Sequence, residues 1–291
     1  MENIDKVRGL SRRRFLKSAG AMAAGLGLPA GGSVEATAAD AAVESNESGK
    51  ALKLGLTSYT FRKFDLDNTL AMTKRVGLKN LSLKAFHLHL NSTPEQIASV
   101  AQKVRIANFN FYGVGVISML KQADVIQAFD YAKAAGVKTI IAAPSAEMLP
   151  LIEEKVKQFN ISLAIHNHGP GDKHFPTPES AYHVIDRLDR RIGLCIDIGH
   201  TVRIGADLIS SVAKYGDRLL DVHMKDVTEA APKGKEIQVG RGIIDIPSFL
   251  RALVKIKYAG IVSFEYEPEP NDPLAGLAES VGYVRGGLAM I

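Results

Sequence analysis

The 291-residue sequence contains no tryptophan and a single cysteine, Cys195. One thiol excludes an intramolecular disulfide and a thiolate metal cluster. Its place in the apolar stretch Ile192–His200 reads as a small core side chain rather than a nucleophile. Long hydrophobic runs are missing too. The Ala- and Gly-rich stretch from Ala19 to Ala30 is too short and too weakly apolar to span a membrane, so no stable membrane insertion is expected. A large charge of one sign is also absent. There are 36 Lys and Arg against 31 Asp and Glu, and residues 1–38 hold six of the former and three of the latter. Beyond them 30 stand against 28, a balance of +2 that leaves no electrostatic footprint for nucleic acid. No Gly-rich nucleotide loop follows the first strand candidate, which argues against a doubly wound dinucleotide fold.

The first forty residues read as an address. Ser11-Arg12-Arg13-Arg14-Phe15-Leu16-Lys17 resembles the twin-arginine export motif. A mildly apolar run follows, and Ala36-Thr37-Ala38 offers a small-residue cleavage site. Residues 1–38 are therefore expected to be a twin-arginine signal peptide and 39–50 a polar lead-in. The resemblance implies the twin-arginine translocase as a partner during export and a periplasmic or otherwise exported location. Export of an already folded chain suits a protein loaded with metal beforehand, and it accounts for the missing disulfides.

From residue 51 onward strand-like and helix-like stretches alternate. The strand candidates are Lys53–Phe61, Asn80–Phe86, Asn110–Ile117, Lys138–Ala143, Ile161–His168, Ile192–Ile198, Leu219–Lys225 and Ile261–Glu267. Amphipathic stretches lie between them, at Asp67–Val76, Pro94–Ile106, Ala123–Ala135, Met148–Phe159, Pro178–Leu188 and Pro247–Ile256. Thr93-Pro94 and Thr177-Pro178 put a cap residue before a first-turn proline, while Gly77, Gly136 and Gly260 are placed to stop helices. Eight units in about 240 residues predict an α/β fold, a single-domain (β/α)8 TIM barrel over 51–291.

A closed barrel fixes sidedness, with one parity facing the helices and the other facing in. On the fifth candidate Ile161, Leu163 and Ile165 face out, and Ala164, His166 and His168 face in. On the sixth, Gly193, Cys195 and Asp197 face in, and His200 follows in a loop. On the seventh, Leu220, Val222 and Met224 face out against Asp221, His223 and Lys225. On the eighth, Ser263, Glu265 and Glu267 face in, and the second adds Lys84. Any one inward histidine would ordinarily be a satisfied core residue. His166, Asp197, His223 and Glu265 on four successive strands instead form a nitrogen and oxygen donor set for one divalent ion, manganese, zinc, cobalt or magnesium. The His-x-His of the fifth strand leaves His168 as the alternative imidazole ligand. His168, His200, Lys84, Lys225 and Glu267 would support the ligands from behind or face the substrate, with Lys225 also able to pair with Asp226 or Glu267.

The motifs Cys195-Ile196-Asp197-Ile198-Gly199-His200, Val222-His223-Met224-Lys225-Asp226, Gly240-Arg241-Gly242-Ile243-Ile244-Asp245 and Ser263-Phe264-Glu265-Tyr266-Glu267 carry a resemblance. In order and spacing they resemble the sugar phosphate isomerase/epimerase superfamily, the xylose isomerase-like barrels, over nearly the whole mature chain. The nearest motifs are those of inosose dehydratase-like and hydroxypyruvate isomerase-like members. The resemblance implies Asp197, His223 and Glu265 as metal ligands and His200 as a substrate contact. Arg241, Glu267 and Lys84 are expected as further substrate contacts. One departure matters: the epimerases carry a glutamate on the fifth strand, where this chain has His166-Asn167-His168.

The expected function is proton transfer beside the carbonyl of a small-molecule sugar by a metal-dependent isomerase or epimerase, with His168, His200, Lys84 and Lys225 as the catalytic groups. Lysis by β-elimination on a keto-sugar or keto-glycoside is the alternative, and a non-catalytic sugar-binding barrel the second. A phosphodiester-cleaving repair enzyme would need more metal ligands and a basic face. Homo-oligomer or monomer is left open. If the address is read correctly, replacing both Arg12 and Arg13 by Lys retains folded precursor in the cytoplasm. Normal export of that double variant, followed by cell fractionation, rules the twin-arginine route out.

Overall fold

The computed structural model describes residues 52–291, so the expected signal peptide and lead-in lie outside the described residues. Eight parallel strands close into a barrel: β1 (Lys53–Thr57), β2 (Asn80–Leu83), β3 (Asn110–Met119), β4 (Thr139–Pro144), β5 (Ser162–His166), β6 (Ile192–Asp197), β7 (Leu219–Met224) and β10 (Ile261–Phe264). The two remaining strands, β8 (Asp226–Val227) and β9 (Glu236–Ile237), pair antiparallel as a ribbon above the C-terminal end of β7. Helices α1 (Leu66–Arg75), α2 (Pro94–Ile106), α3 (Gln122–Ala135), α4 (Leu149–Phe159), α5 (Pro178–Ile185), α6 (Ile198–Arg203), α7 (Leu208–Tyr215), α8 (Ile246–Lys255) and α9 (Leu274–Ala289) connect the strands or follow the last. The expected (β/α)8 barrel is the observed one. Among the described residues no helix is long and apolar enough to cross a membrane.

Local chemistry sets several helix starts as the sequence indicated. Thr93 and Gln96 make a reciprocal cap at α2, and Thr177 and Ser180 make another at α5. Gly77 and Gly136 take the left-handed conformation at helix ends. Gly260 does not; Lys257 takes the positive φ after α8, and a Cβ at Gly260 would meet the Leu220 carbonyl at 2.6 Å.

The large core lies between barrel and helices, where Leu163, Ile165, Leu194, Ile196, Val222 and Phe264 are buried. A second, small cluster of Ile141, Ala164 and Cys195 fills the barrel itself. Cys195 is thus a buried free thiol, as its strand position suggested, and burial pushes its ionisation well above the usual range. Towards the N-terminal end Tyr112 donates to Asp221 at 3.1 Å and shares a hydrogen bond with Ser263. Sidedness fails at one residue. The pairing steps from Leu194 with Leu219 to Cys195 with Asp221, so Leu220 is an extra, bulged residue. It packs on the interior cluster instead of facing the helices.

Most of the expected strands overrun their C-terminal ends. After Thr57 the chain enters a 3-10 turn, Ser58–Phe61, and Lys84, His168, Lys225, Glu265 and Glu267 all lie beyond the ladder. Their polar side chains are spent on one another at the barrel mouth. A buried histidine fixes one side of that mouth. His87 Nε2 donates to the Phe64 carbonyl at 3.0 Å, so Nδ1 accepts from Ser58 Oγ at 2.9 Å. Ser58 Oγ in turn accepts from the Lys84 amide.

Burial lowers the His87 pKa against the pull of the neighbouring carbonyls. The folded state therefore favours neutral imidazole. Stability that is complete above the unfolded value of about 6.5 is lost as pH falls through it. Urea titrations at pH 7.5 and 5.5 should show His87→Leu costing about 1–3 kcal/mol at the higher pH and losing less on acidification than the parent. An unchanged acid-dependent loss would mean that His87 is not one of its sources.

Candidate metal centre and active site

Asp197 organises the centre because one carboxylate is used twice. It ends β6 and caps α6, with Oδ1 accepting the His200 amide at 2.8 Å. The helix starts immediately at Ile198, so His200 sits in its first turn and not in the expected loop. The reason is that cap: a carboxylate at the strand end satisfies an amide that would otherwise be unpaired. Oδ2 is left facing the barrel axis. Asn167 locks the same corner, accepting from the Asp197 amide at 3.1 Å and donating to Thr201 Oγ1 at 3.1 Å.

Around Oδ2 the structure gathers His166, His223 and Glu265. One ligand atom from each of the four residues lies within 4.8 Å of the others, and all four side chains are buried. His166 Nε2 stands 3.4 Å from Asp197 Oδ2 without hydrogen-bond alignment, and His223 Nδ1 stands 3.2 Å from Glu265 Oε2. Both ring nitrogens of His166 and Asp197 Oδ2 have no hydrogen-bond partner among the described residues. Buried polar atoms are rarely left in this state, and one nitrogen of His166 converging with Asp197 Oδ2, His223 and Glu265 fits a bound cation. His166, whose ring lies 4.7 Å from that of His223, is the fifth-strand imidazole in the set. The His168 ring is 4.4 Å away, with Nδ1 turned to Asp172 at 3.4 Å.

The electrostatics follow from burial opposed by neighbours. Burial drives His166 well below its ordinary value and holds the ring neutral, as a metal ligand must be. Burial, helped by His200, also lowers His168. For Asp197 burial would raise the pKa, but His200, Lys225 and His166 hold it far below the carboxylate range. Lys225, Lys84 and His223 do the same for Glu265.

Both lysines reach the cluster. Lys84 Nζ lies 3.1 Å from Glu265 Oε1 and 4.3 Å from the centre of the Tyr59 ring. Lys225 is buried among Glu265 at 3.1 Å, Glu236 at 3.3 Å, Asp197 at 3.6 Å and Glu267. Of its two expected partners, Glu267 is the one it takes. Asp226 is used otherwise, accepting from the amides of Val227, Gly240, Gly242 and Ile244. That explains Gly240-Arg241-Gly242: a Cβ at Gly242 would lie 2.2 Å from Asp226 Oδ1. The motif is a backbone wrap, and the Arg241 side chain turns away to pair with Glu279 of α9. The structure thus gives Arg241 a partner other than the substrate expected for it.

Beside the cluster lies a cavity of about 350 Å³ whose walls include His200, Arg203, Lys225, Glu236 and Glu267. Arg203 and Glu236 were missed by sequence reasoning. His200 and Arg203 at i and i+3 of one helix carried a usable signal once α6 was known. Glu236, on a two-residue strand in an irregular excursion, carried none.

The model of the family described as xylose isomerase-like TIM barrel matches residues 121–286, more than half of the chain. Among curated relatives, an inosose dehydratase of Geobacillus thermodenitrificans is 24% identical over 243 residues, covering 75% of this chain and 80% of its own. The rhizopine catabolism protein MocC of Rhizobium meliloti is 28% identical over 135 residues, and the match spans only 41% of either chain. Of solved structures, the IolI protein with a bound zinc atom superposes with a TM-score of 0.70 at 17% identity, covering 82% of this chain and 99% of that one. The closed eight-strand barrel and the family match agree, and the chain belongs to the xylose isomerase-like TIM barrel family.

Proposed function

We propose that the protein is a metal-dependent lyase that enolises a ketone-bearing sugar or cyclitol and expels an oxygen substituent from the β-carbon. His166, Asp197, His223 and Glu265 would hold one divalent ion. When bound, that ion supplies Lewis acidity to the substrate's carbonyl and neighbouring hydroxyl oxygens. The observation that carries the reading is the fifth-strand position. Proton exchange on both faces of a carbon suits two carboxylates, and here one of those places is taken by a buried, neutral imidazole. The other, Glu265, is already in contact with His223, Lys84 and Lys225. A relative that spans most of the chain is named inosose dehydratase, which supports the same choice.

The proton leaves the α-carbon to an imidazole. His200 is the base, because it lines the cavity. Asp197 positions it through the helix cap. His168, lowered by burial and therefore able to accept a proton near neutral pH, lies next to it with ring centres 5.9 Å apart. The electron pair of the broken C–H bond becomes the new C=C bond, and the C–O bond at the β-carbon breaks with its pair on oxygen. Lys84 donates the proton that oxygen needs, since Lys225 is enclosed by carboxylates and held firmly cationic. Lys225 neutralises the site instead of moving a proton.

Three outcomes test this. Asp197→Asn keeps an oxygen for the α6 cap, so metal content measured by elemental analysis should fall while the unfolding midpoint of the metal-free protein changes little. Asp197→Ala should cost the metal-free protein about 1 kcal/mol more, through the lost cap. Equal metal content in parent and Asn variant would remove Asp197 from the ligand set. In deuterated water with keto-sugars and ketocyclitols, turnover should give an unsaturated ketone, and His200→Ala should lower it by about 10²-fold with metal retained. Deuterium uptake into unchanged or epimerised sugar, with no unsaturated product, would instead return the reaction to the isomerase and epimerase class.

A further inference from the structure

Cys195 lies on the same face of β6 as Asp197 but two residues earlier, which is about 7 Å deeper along the barrel. Its register partner on β5 is His166. The Cys195 Sγ atom, one ring nitrogen of His166 and one of His223 lie within 4.8 Å of one another, and all three side chains are buried. A three-donor set thus sits beneath the four-donor centre, and the two sets share both imidazoles. His166 is uncommitted between them. A ligating imidazole ordinarily donates its other N–H to a carboxylate or carbonyl, and neither ring nitrogen of His166 has a partner among the described residues.

The two sets suit different ions. Carboxylate oxygens favour hard divalent ions, whereas thiolate favours soft ones, and two imidazoles with one thiolate are a set that copper takes in trigonal geometry. Zinc takes four ligands in almost every closed protein site, one more than this set offers. A single thiolate beside two neutral imidazoles is balanced by a monovalent ion, which makes copper(I) the match.

We propose that His166, Cys195 and His223 form a copper(I) site inside the barrel, and that its occupation excludes the divalent ion by taking the two shared histidines. This is a regulation of the same centre, and it rests on the metal-dependent reading above for the ion that is displaced. On binding, a Cu–S bond replaces the S–H bond and the thiol proton passes to the buffer. No electron is transferred.

The test titrates metal-free protein, kept anaerobic, with copper(I) held by the chelator bicinchoninate. The parent should withdraw a single copper per chain and show a thiolate-to-copper charge-transfer band in the ultraviolet. Cys195→Ser keeps the size but not the soft donor; it should weaken copper(I) binding at least about tenfold and abolish the band, as should Cys195→Ala. Both variants should still bind manganese(II) as the parent does in calorimetry, which shows that the barrel around the site is folded. Asp197→Asn should do the reverse, losing manganese(II) and keeping copper(I). Parent loaded with copper(I) should take up no manganese(II).

Copper(I) binding untouched by both Cys195 variants would overturn the proposal. So would a parent that withdraws no copper, or one that binds manganese(II) on top of it. Copper(I) lost from Asp197→Asn would move the ion to the carboxylates and end the proposal too. The four-residue reading fails separately, by equal manganese(II) affinity in parent and Asp197→Asn.

Discussion

The site depends on one ammonium group buried among carboxylates. Lys225 is enclosed at the barrel mouth with Asp197, Glu236, Glu265 and Glu267 around it. Removing any of these charges from water costs several kcal/mol, and only close opposite charge returns it. Four carboxylates exceed the two lysines that reach them, Lys225 and Lys84, by two charges when all are ionised. The strain of that excess shows in Glu236, whose carboxyl burial and the neighbouring Glu267 push up despite Lys225. One nitrogen of His166 and Asp197 Oδ2, both without a hydrogen-bond partner among the described residues, mark where within the cluster a cation would fit.

Barrel geometry makes such a concentration feasible. The strands supply backbone hydrogen bonds up to Thr57, Leu83, His166, Asp197, Met224 and Phe264 and then stop. The residues that follow, Ser58, Lys84, Lys225 and Glu265, are held by short rigid turns and by one another. Ser58 links three of these pieces by accepting from Lys84 and bonding His87, which reaches on to Phe64 and Thr69. At the opposite end of β7 the interior is filled by Tyr112, Asp221, Ser263 and the Cys195 cluster, so the barrel is a plugged cup with its chemistry at one rim.

The fold was legible in the sequence because alternation and parity are long-range, redundant signals. Eight strands with one apolar face each leave little freedom, and parity put His166, Asp197, His223 and Glu265 on the inward side. What escaped was local. A bulge at Leu220 adds one residue without any mark in composition, and it reverses the side that residue faces. The short helix α6 was hidden because Asp197 serves as strand end and helix cap at once. Arg241 is paired elsewhere for a different reason. Its motif is real, but what it provides is the chain of amides gripping Asp226, and the side chain between the two glycines is free to leave.

The fifth-strand histidine and the charge excess explain each other. A carboxylate in place of His166 would put a further negative charge beside Asp197, at a buried position. Neither lysine could answer it, since Lys84 is held between Glu265 and Tyr59 and Lys225 is surrounded. A neutral imidazole keeps a ligand atom there and adds no charge. The cost is chemical: a ligated imidazole is a poor proton carrier. In the proposed reaction proton transfer then falls to His200 and His168. The electrostatics that let this barrel mouth fold and the one-sided acid–base chemistry proposed for it therefore have the same origin.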